Sequence, residues 1–208
     1  MTNYNFFTLS PGHGGLAFGN YYLTKGKQSP DGLFKEGAYN REIAQIVTDT
    51  KVAGVEFENL APGPIQIPIL SRVKAVRNII AQHNPKTAGG KVTHIALHCN
   101  AMGNGKTWPK AHGFVIFYKP WGKHKHASIR LAKIIANQMI VDGIPIEPRR
   151  QYIKPGRFTE LLGVNCPAVL FEMGFMTNKS DLKNLIQYQQ TIASTIVSAC
   201  LQFSLYDF

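Results

Sequence analysis

Short apolar runs alternate with segments of helical periodicity along the chain, and this alternation restricts the possible folds more than any other feature. Each run has the length of a buried strand, and the segments between the runs can supply crossover helices. The pattern predicts a layered α/β domain with a mostly parallel central sheet flanked by helices. The predicted strands are Tyr4–Leu9, Val55–Leu60, Val92–Leu97, Phe114–Tyr118 and Pro167–Phe171.

Four segments repeat apolar residues at helical spacing, which is typical of helices that bury one face. We expect Gly54 to end the first helix, Gly143 to end the third and Ser180 to cap the last. The Pro-rich segment Pro62–Pro68 is predicted to be a loop. The helices are identified by Tyr39, Ile43, Ile46 and Val47; by Val73, Val76, Ile79 and Ile80; by Ala127–Val141; and by Leu182, Leu185, Ile186, Ile196 and Cys200.

Length and composition narrow the class of protein. The 208 residues suit one domain, so we expect a single domain over residues 1–208. The formal net charge of +11 favours polyanionic partners such as nucleic acid, anionic lipid or a phosphate-bearing cell envelope. Nucleic acid is not expected, because no basic motif with interleaved aromatic residues occurs. Three widely spaced cysteines argue against a disulfide framework, and no run of about 18 apolar residues predicts a transmembrane segment.

Residues with metal-binding or acid–base chemistry stand at the ends of the predicted strands. His13, His98 and Glu172 each follow one of the apolar runs. Loops at the carboxyl ends of parallel strands converge on one crevice, so we expect these three side chains to meet there. Glu36 is a fourth candidate, because it stands at the start of a helix and shares a face with Asn40.

Each candidate alone also has a structural interpretation. A buried acid can pair with an amide or an arginine, a core histidine can satisfy one hydrogen bond, and a first-turn acid can favour the helix dipole. Two histidines and two acids together suit a catalytic zinc site, which takes three nitrogen or oxygen ligands and leaves a fourth position open. The set therefore favours catalysis over four separate structural roles.

Four segments, taken in order, carry a resemblance to a known family. Together they resemble the motifs of the zinc-dependent N-acetylmuramoyl-L-alanine amidases of the amidase_3 type. The similarity runs from about Phe6 to about Leu185, and Leu70–Val73 resembles the Leu/Arg helix start of that family. The four segments are Leu9-Ser-Pro-Gly-His-Gly-Gly15, Glu36-Gly-Ala-Tyr-Asn40, Ala96-Leu-His-Cys-Asn-Ala101 and Phe171-Glu-Met-Gly-Phe-Met-Thr-Asn178.

The resemblance implies a six-stranded α/β fold and a zinc ion held by His13, Glu36 and His98, with Glu172 as the catalytic acid/base. The implied reaction is hydrolysis of the amide bond between N-acetylmuramic acid and L-alanine of peptidoglycan. The implied roles are activation of water and polarisation of the carbonyl by zinc, with proton transfer by Glu172.

The chain departs from the family pattern in two places that concern substrate contacts. Leu16–Lys35 is a longer loop, and Ala61–Ile69 replaces a stretch that contains Thr and Arg. Two other functions stay open at this point: a zinc peptidase acting on the stem peptide, and a catalytically silent envelope-binding protein.

Several weaker candidates have structural interpretations. Cys99 follows His98 on an alternating strand, so its side chain is expected to point away from His98 and fill the core. We expect Arg149 and Arg150 to lie in a loop, where they are candidates for binding a substrate carboxylate. The remaining histidines considered are His112, a candidate cleft residue, and His124 and His126, expected to form a solvated basic cluster.

The N-terminal segment MTNYNFFTLSPGHGG has no cationic region and an interrupted apolar run. We therefore expect synthesis in the cytoplasm without a signal peptide. Together with the resemblance, this favours a phage or prophage endolysin that causes bacteriolysis after reaching the cell wall through a membrane lesion. The basic charge would hold such an enzyme on the anionic envelope. Unconventional secretion or delivery as a toxin is compatible with the same sequence.

Overall fold

The computed structural model describes residues 5–17, 20–21, 26–83 and 91–206. Its strands are β1 (Asn5–Pro11), β2 (Leu16–Ala17), β3 (Asn20–Tyr21), β4 (Val55–Asn59), β5 (Lys91–Asn100), β6 (Phe114–Tyr118), β7 (Pro148–Pro155) and β8 (Ala168–Phe175). Six of them form one sheet in the order β4-β1-β5-β8-β6-β7, and β2 and β3 form a separate antiparallel hairpin.

The central sheet is mostly parallel, as predicted. The neighbours β4, β1, β5 and β8 all run in the same direction. Strand β6 is antiparallel to β8, and β7 is parallel to β6 at the sheet edge. The four parallel strands therefore place their carboxyl ends along one edge of the sheet, which is where ligand sites form in such folds.

Helices cover both faces of the sheet. They are α1 (Glu36–Asp49), α2 (Ile69–Gln82), α3 (Lys125–Val141), α4 (Thr159–Leu162), α5 (Lys179–Gln187) and α6 (Gln189–Ser204). The larger core lies between the sheet and α1, α3, α5 and α6, and it includes Leu97 and Phe171. The smaller core lies under α2 and α4, and it includes Ala96 and Leu170. Successive residues of β5 and β8 thus alternate between the two cores.

The five predicted strands are confirmed, four of them with changed ends. Strand β6 has the predicted bounds, and β4 ends at Asn59, one residue early. Strand β1 continues to Pro11, and Tyr4 lies outside the described residues. Strands β5 and β8 are longer than predicted. The Pro62–Pro68 segment is a loop, as predicted.

Two of the three predicted helix signals are wrong. Helix α1 ends at Asp49, and Gly54, with φ +78°, belongs to the turn before β4 instead. The cap of α5 is Asn178, whose Oδ1 accepts hydrogen bonds from the backbone N–H groups of Ser180 (3.0 Å) and the next residue. An amide side chain two positions earlier thus does the capping that we predicted for Ser180. Gly143, with φ +65°, follows α3 as predicted.

The last predicted helix is in fact two, α5 and α6, which meet at Tyr188. Ile186 is 60% exposed, so the prediction that it faces inward is wrong. Leu182 and Leu185 are buried and set the inner face of α5, and Ile186 lies a further 100° around the helix.

Strand β7, helix α4 and the hairpin were not predicted. The loop predicted for Arg149 and Arg150 is wrong, because both lie in β7. Half of the residues of this edge strand are exposed and the rest are only partly buried, and the strand carries no regular alternation of apolar residues that would have revealed it. Within the described ranges, we find no helix whose length and hydropathy would let it cross a membrane.

Candidate active site

His13 lies in the turn that follows β1, at the carboxyl edge of the sheet. Its φ is +64°, a left-handed conformation that is uncommon for a residue other than glycine. The preceding Gly12 cannot carry a side chain, since a Cβ there would lie 2.1 Å from Cε1 of His98. Arg41 holds the turn by donating a hydrogen bond to the carbonyl oxygen of His13. The backbone therefore brings the His13 and His98 rings together, with centroids 5.4 Å apart.

Glu36 is the first residue of α1 and is buried. The helix can start this close to the His13 turn because Gly37 has no side chain; a Cβ there would lie 2.0 Å from the Gly14 carbonyl oxygen. The positive end of the helix dipole favours a carboxylate at this position. The two carboxylate oxygens accept hydrogen bonds from the backbone N–H groups of Cys99 (3.3 Å) and Lys27 (3.2 Å).

Asn40 lies one turn further along α1 and is also buried. Its Nδ2 donates to the Gly12 carbonyl oxygen at 3.3 Å, which ties the helix to the turn that carries His13. The prediction that Glu36 and Asn40 share a face is confirmed.

The two predicted histidines, His13 and His98, come together around Glu36. Nε2 of His13 lies 3.4 Å from Oε2 of Glu36, and Nδ1 of His98 lies 3.1 Å from Oε1. One ligand atom from each of the three residues lies within 4.8 Å of the others. Residues from a turn, a helix start and a strand, separated in sequence, thus form one group that could hold a metal ion.

The charges of this group are coupled. Burial would lower the pKa of His98, but its interactions with the Glu160 and Glu36 carboxylates outweigh burial and raise this pKa to about 10. Burial lowers the pKa of His13. Burial opposes ionisation of Glu36, yet the hydrogen bond and charge of His98 hold the pKa of this carboxyl below its ordinary value. Glu36 therefore keeps its negative charge beside two imidazoles, and a carboxylate with two imidazole nitrogens is a donor set that suits a cation.

Glu172 lies beside His98, since the two residues are register partners in β5 and β8. Its side chain is on the same sheet face as that of Leu170, because alternate residues share a face. Its Oε2 is buried and has no hydrogen-bond partner among the described residues. Burial raises the pKa of Glu172 to about 7, with nearby His98 lowering it and Glu36 raising it. This carboxyl is therefore poised to take up and release a proton near neutral pH.

The predicted strand-end positions need one correction. His13 does follow its strand, but His98 and Glu172 lie inside β5 and β8, which continue to Asn100 and Phe175. The ladder continues because the backbone groups still pair, with a register irregularity between His98 and Asn100. The side chains nevertheless stand near the same edge, so the predicted convergence does not depend on where the strands end.

A second buried charged cluster adjoins His98, and sequence reasoning missed it. Nε2 of His98 lies 3.7 Å from Oε2 of Glu160, and Nη1 of Arg72 lies 3.0 Å from Oε1 of Glu160. Ser10 donates its hydroxyl to the same Oε1. Burial opposes ionisation of Glu160, but His98 and Arg72 lower its pKa to about 2. Arg72 stands in the Leu70–Val73 motif, whereas a single acid in one helical turn gives no periodic signal for Glu160.

The weaker candidates lie outside the candidate metal group. Cys99 is part of the larger core, as predicted, and burial raises the pKa of its thiol well above its ordinary value. His112 is exposed, with Nε2 3.9 Å from Glu147. The Arg149 guanidinium lies 4.9 Å above the ring of Phe175, the last residue of β8. Among the other candidates, His124 is partly buried, and Arg150 and His126 are exposed.

Comparison with known sequences identifies the family. The family model described as N-acetylmuramoyl-L-alanine amidase, of the Amidase_3 type, matches residues 8–202. The chain belongs to this amidase family. The resemblance of the four motifs is thereby confirmed, and with it the class of enzyme and peptidoglycan as the substrate. No significant match is found for this amidase among curated proteins.

Solved structures share the fold of this amidase. An N-acetylmuramoyl-L-alanine amidase from Clostridium difficile 630 has a TM-score of 0.78 at 23% identity, with 97% of each chain covered. The amidase AmiC2 of Nostoc punctiforme has a TM-score of 0.76 at 21% identity, covering 97% of this chain and 98% of that one. The catalytic domain of CwlV from Bacillus (Paenibacillus) polymyxa var. colistinus has a TM-score of 0.75 at 18% identity, covering 96% and 97%. The six-stranded α/β fold is therefore confirmed.

Proposed function

We propose that this amidase depends on zinc and that His13, Glu36 and His98 hold the ion. The support is the spacing of the donor atoms, 3.1 and 3.4 Å from the Glu36 oxygens to the two imidazoles. Tetrahedral zinc with ligands at about 2.0–2.2 Å places neighbouring ligand atoms about 3.4 Å apart. Two imidazoles and one carboxylate are also a donor set that catalytic zinc sites use. When bound, zinc supplies Lewis acidity for the amide carbonyl and activates water.

We assign the proton transfers to Glu172. Its carboxylate accepts a proton from the attacking water and returns it to the amine of L-alanine as the bond to the lactyl carbonyl breaks. The support is the buried, unpartnered Oε2 together with a pKa of about 7, which allows one group to act as base and then as acid. No nucleophilic side chain is needed, which agrees with the raised thiol pKa of Cys99.

Digestion of purified sacculi tests the proposal. We expect the turbidity of sacculi to fall with the enzyme, to stay constant with a chelator, and to fall again when zinc is restored. Mass analysis should find stem peptides that begin with free L-alanine and glycan strands that remain intact. Cuts within the stem peptide would indicate a peptidase, new reducing ends a glycosidase, and binding without release a catalytically silent protein. Each of these three results would contradict the proposal.

The setting that we propose is bacteriolysis by an endolysin with one catalytic domain over residues 1–208, acting at the cell wall after passing a membrane lesion. The match over residues 8–202 supports the single domain. The net charge of +11 supports attraction to an anionic envelope. A groove between α2 and α4 offers one basic surface for this contact, because Lys74, Arg77 and Arg157 line it and its described lining residues include no acid.

Two assays test the setting. The triple variant Lys74→Gln, Arg77→Gln, Arg157→Gln should bind sacculi less tightly than wild type at low salt, and the difference should shrink as salt screens the charges. Expression in a bacterial host should lyse cells only when a membrane-permeabilising protein is expressed with it. Lysis without permeabilisation would contradict the proposed route.

A further inference from the structure

We propose that Glu160 is a positioning residue, whose carboxylate fixes the imidazole of His98 so that Nδ1 faces Glu36 and His13. This inference rests on the proposed metal site. It assigns a task to a buried acid that the amidase reaction, as described above, does not use.

The two nitrogens of the His98 ring face two different carboxylates. Nδ1 lies 3.1 Å from Oε1 of Glu36, on the side of the candidate metal group. Nε2 lies 3.7 Å from Oε2 of Glu160 on the other side. Nε2 is buried and has no hydrogen-bond partner within the described part of the chain. A shift of a few tenths of an ångström would bring Nε2–H and Glu160 into hydrogen-bond range.

The two oxygens of Glu160 have different surroundings. Oε1 accepts a hydrogen bond from the hydroxyl of Ser10 and lies 3.0 Å from Nη1 of Arg72. Arg72, Ser10 and Glu160 are all buried, with 2%, 0% and 4% of their surfaces exposed. These contacts hold the carboxylate in place and leave Oε2 directed at His98. A carboxylate that accepts from the second nitrogen of a ligand histidine fixes both the tautomer and the ring orientation.

The same cluster also reaches the second candidate histidine. Nη1 of Arg72 donates to Oγ of Ser10 at 2.6 Å and to the Pro11 carbonyl oxygen at 3.0 Å. Pro11 ends β1 two residues before His13. Glu160 and Arg72 therefore support the site at two points, the ring of His98 and the backbone that leads into the His13 turn. A buried ion pair is not needed for stability alone, since apolar residues of similar volume often serve as well.

Zinc affinity separates this role from a purely structural one. We expect Glu160→Gln to bind zinc about 10- to 100-fold more weakly than wild type, which is the usual cost of removing such a partner. The dissociation constant is measured by competition with a chromophoric chelator at one pH. The matched control is Glu147→Gln, which removes a carboxylate beside an exposed histidine, His112, and should leave zinc affinity unchanged.

A second variant tests the same role without leaving a buried charge unpaired, so that unfolding does not explain a loss of zinc binding. Glu160→Gln leaves the buried cation of Arg72 unpaired, so the double variant Glu160→Leu, Arg72→Met replaces the whole pair by apolar side chains. We expect this double variant to keep the thermal unfolding midpoint of the metal-free protein and still bind zinc at least tenfold more weakly. In the zinc-loaded protein, ¹⁵N NMR should find the proton of the wild-type His98 ring on Nε2, and its signal should shift in Glu160→Gln.

The outcomes separate the two proposals. If wild type binds zinc and both folded variants bind it within twofold of wild type, the positioning role is wrong and the metal site stands. If wild type itself does not bind zinc, the metal site and the positioning role fall together.

Discussion

Glu160 and Glu172 are two carboxyls close to the same histidine, His98, and their surroundings drive them in opposite directions. Oε1 of Glu160 is paired with Arg72 and accepts a hydrogen bond from the Ser10 hydroxyl, and the pKa of this group falls to about 2. Oε2 of Glu172 is buried without a partner, and the pKa of this group rises to about 7. One acid therefore keeps a fixed negative charge, whereas the other can exchange a proton at neutral pH.

The comparison shows that residue type and closeness to the site do not determine a role. Burial alone disfavours both charges, and only the contacts of Glu160 reverse that effect. When two neighbouring acids have surroundings that move their pKa values apart, the acid with the low pKa keeps its charge and the acid with the raised pKa can transfer a proton. Three substitutions test this division in four experiments, with expected effects from about 4 kcal/mol down to about 1 kcal/mol.

The largest effect is expected for catalysis in Glu172→Gln. Loss of the proton-transferring group should lower kcat by roughly a thousandfold, about 4 kcal/mol, because the amide side chain cannot accept a proton. Release of free amino groups from muropeptides measures the rate. Zinc affinity should stay within twofold of wild type. A tenfold loss would show that Glu172 binds the metal ion, as the three candidate ligands are proposed to do, and would contradict its separate role in proton transfer.

Arg72→Met should have the largest effect on stability. It leaves the Glu160 carboxylate buried without its cation, and breaking a buried pair in this way costs about 3–5 kcal/mol. Chemical unfolding of the metal-free protein measures the free energy. The control is Arg77→Met on the same helix, where the side chain is exposed and the change should stay below about 1 kcal/mol. Equal effects for the two variants would mean that the charge of Glu160 needs no fixed partner.

The pH dependence of stability should distinguish the two acids by sign. The folded pKa of Glu172 is raised from an ordinary value of 4.5 to about 7, so stability is lost as pH rises through this window and is constant above it. In metal-free protein, Glu172→Gln should therefore be more stable than wild type above pH 7, by at most about 3 kcal/mol, and equal to it below pH 4.5. Thermal unfolding at several pH values measures the difference.

Glu160 should behave in the opposite way. Its folded pKa is depressed to about 2, so its stabilisation is present above the ordinary carboxyl pKa and is lost as pH falls towards 2.

A difference in stability between Glu172→Gln and wild type that does not change with pH would contradict the raised pKa of Glu172.

The smallest effect is expected for Ser10→Ala. The hydroxyl lies between Arg72 and Glu160, and its removal should cost about 1–2 kcal/mol because a buried charge-assisted hydrogen bond is lost. Ser198→Ala, on the exposed side of α6, should change stability by less than about 0.5 kcal/mol. If Ser10→Ala is as mild as this control, the hydroxyl does not help to hold the Glu160 carboxylate.

The sequence predicts the parts of the molecule that apolar periodicity controls. The strands inside the sheet are found because both of their faces are buried, which produces continuous apolar runs such as Ala168–Phe171. Edge strand β7 is not detected, because half of its residues are exposed, none is fully buried and its sequence is mostly polar. The ends of β5 and β8 are placed too early, because His98 and Glu172 resemble strand boundaries although their backbones remain in the ladder.

The candidate site is predictable in part for a similar reason. His13, Glu36, His98 and Glu172 stand in short motifs near the ends of strands or at a helix start, where a polar residue next to apolar residues is conspicuous. Glu160 reaches His98 from a helix of one turn, which has too few residues to show a period. Its importance depends on long-range contacts with Ser10 and Arg72, and such contacts are visible only in three dimensions.

Anomalous X-ray scattering, recorded on either side of the zinc absorption edge from crystals of the zinc-loaded protein, tests the central claim most directly. The account predicts one zinc peak about 2.0–2.2 Å from an imidazole nitrogen of His13, an imidazole nitrogen of His98 and a carboxylate oxygen of Glu36, with Glu172 adjacent but not bound. An active enzyme whose crystals show no peak between these three side chains would contradict it.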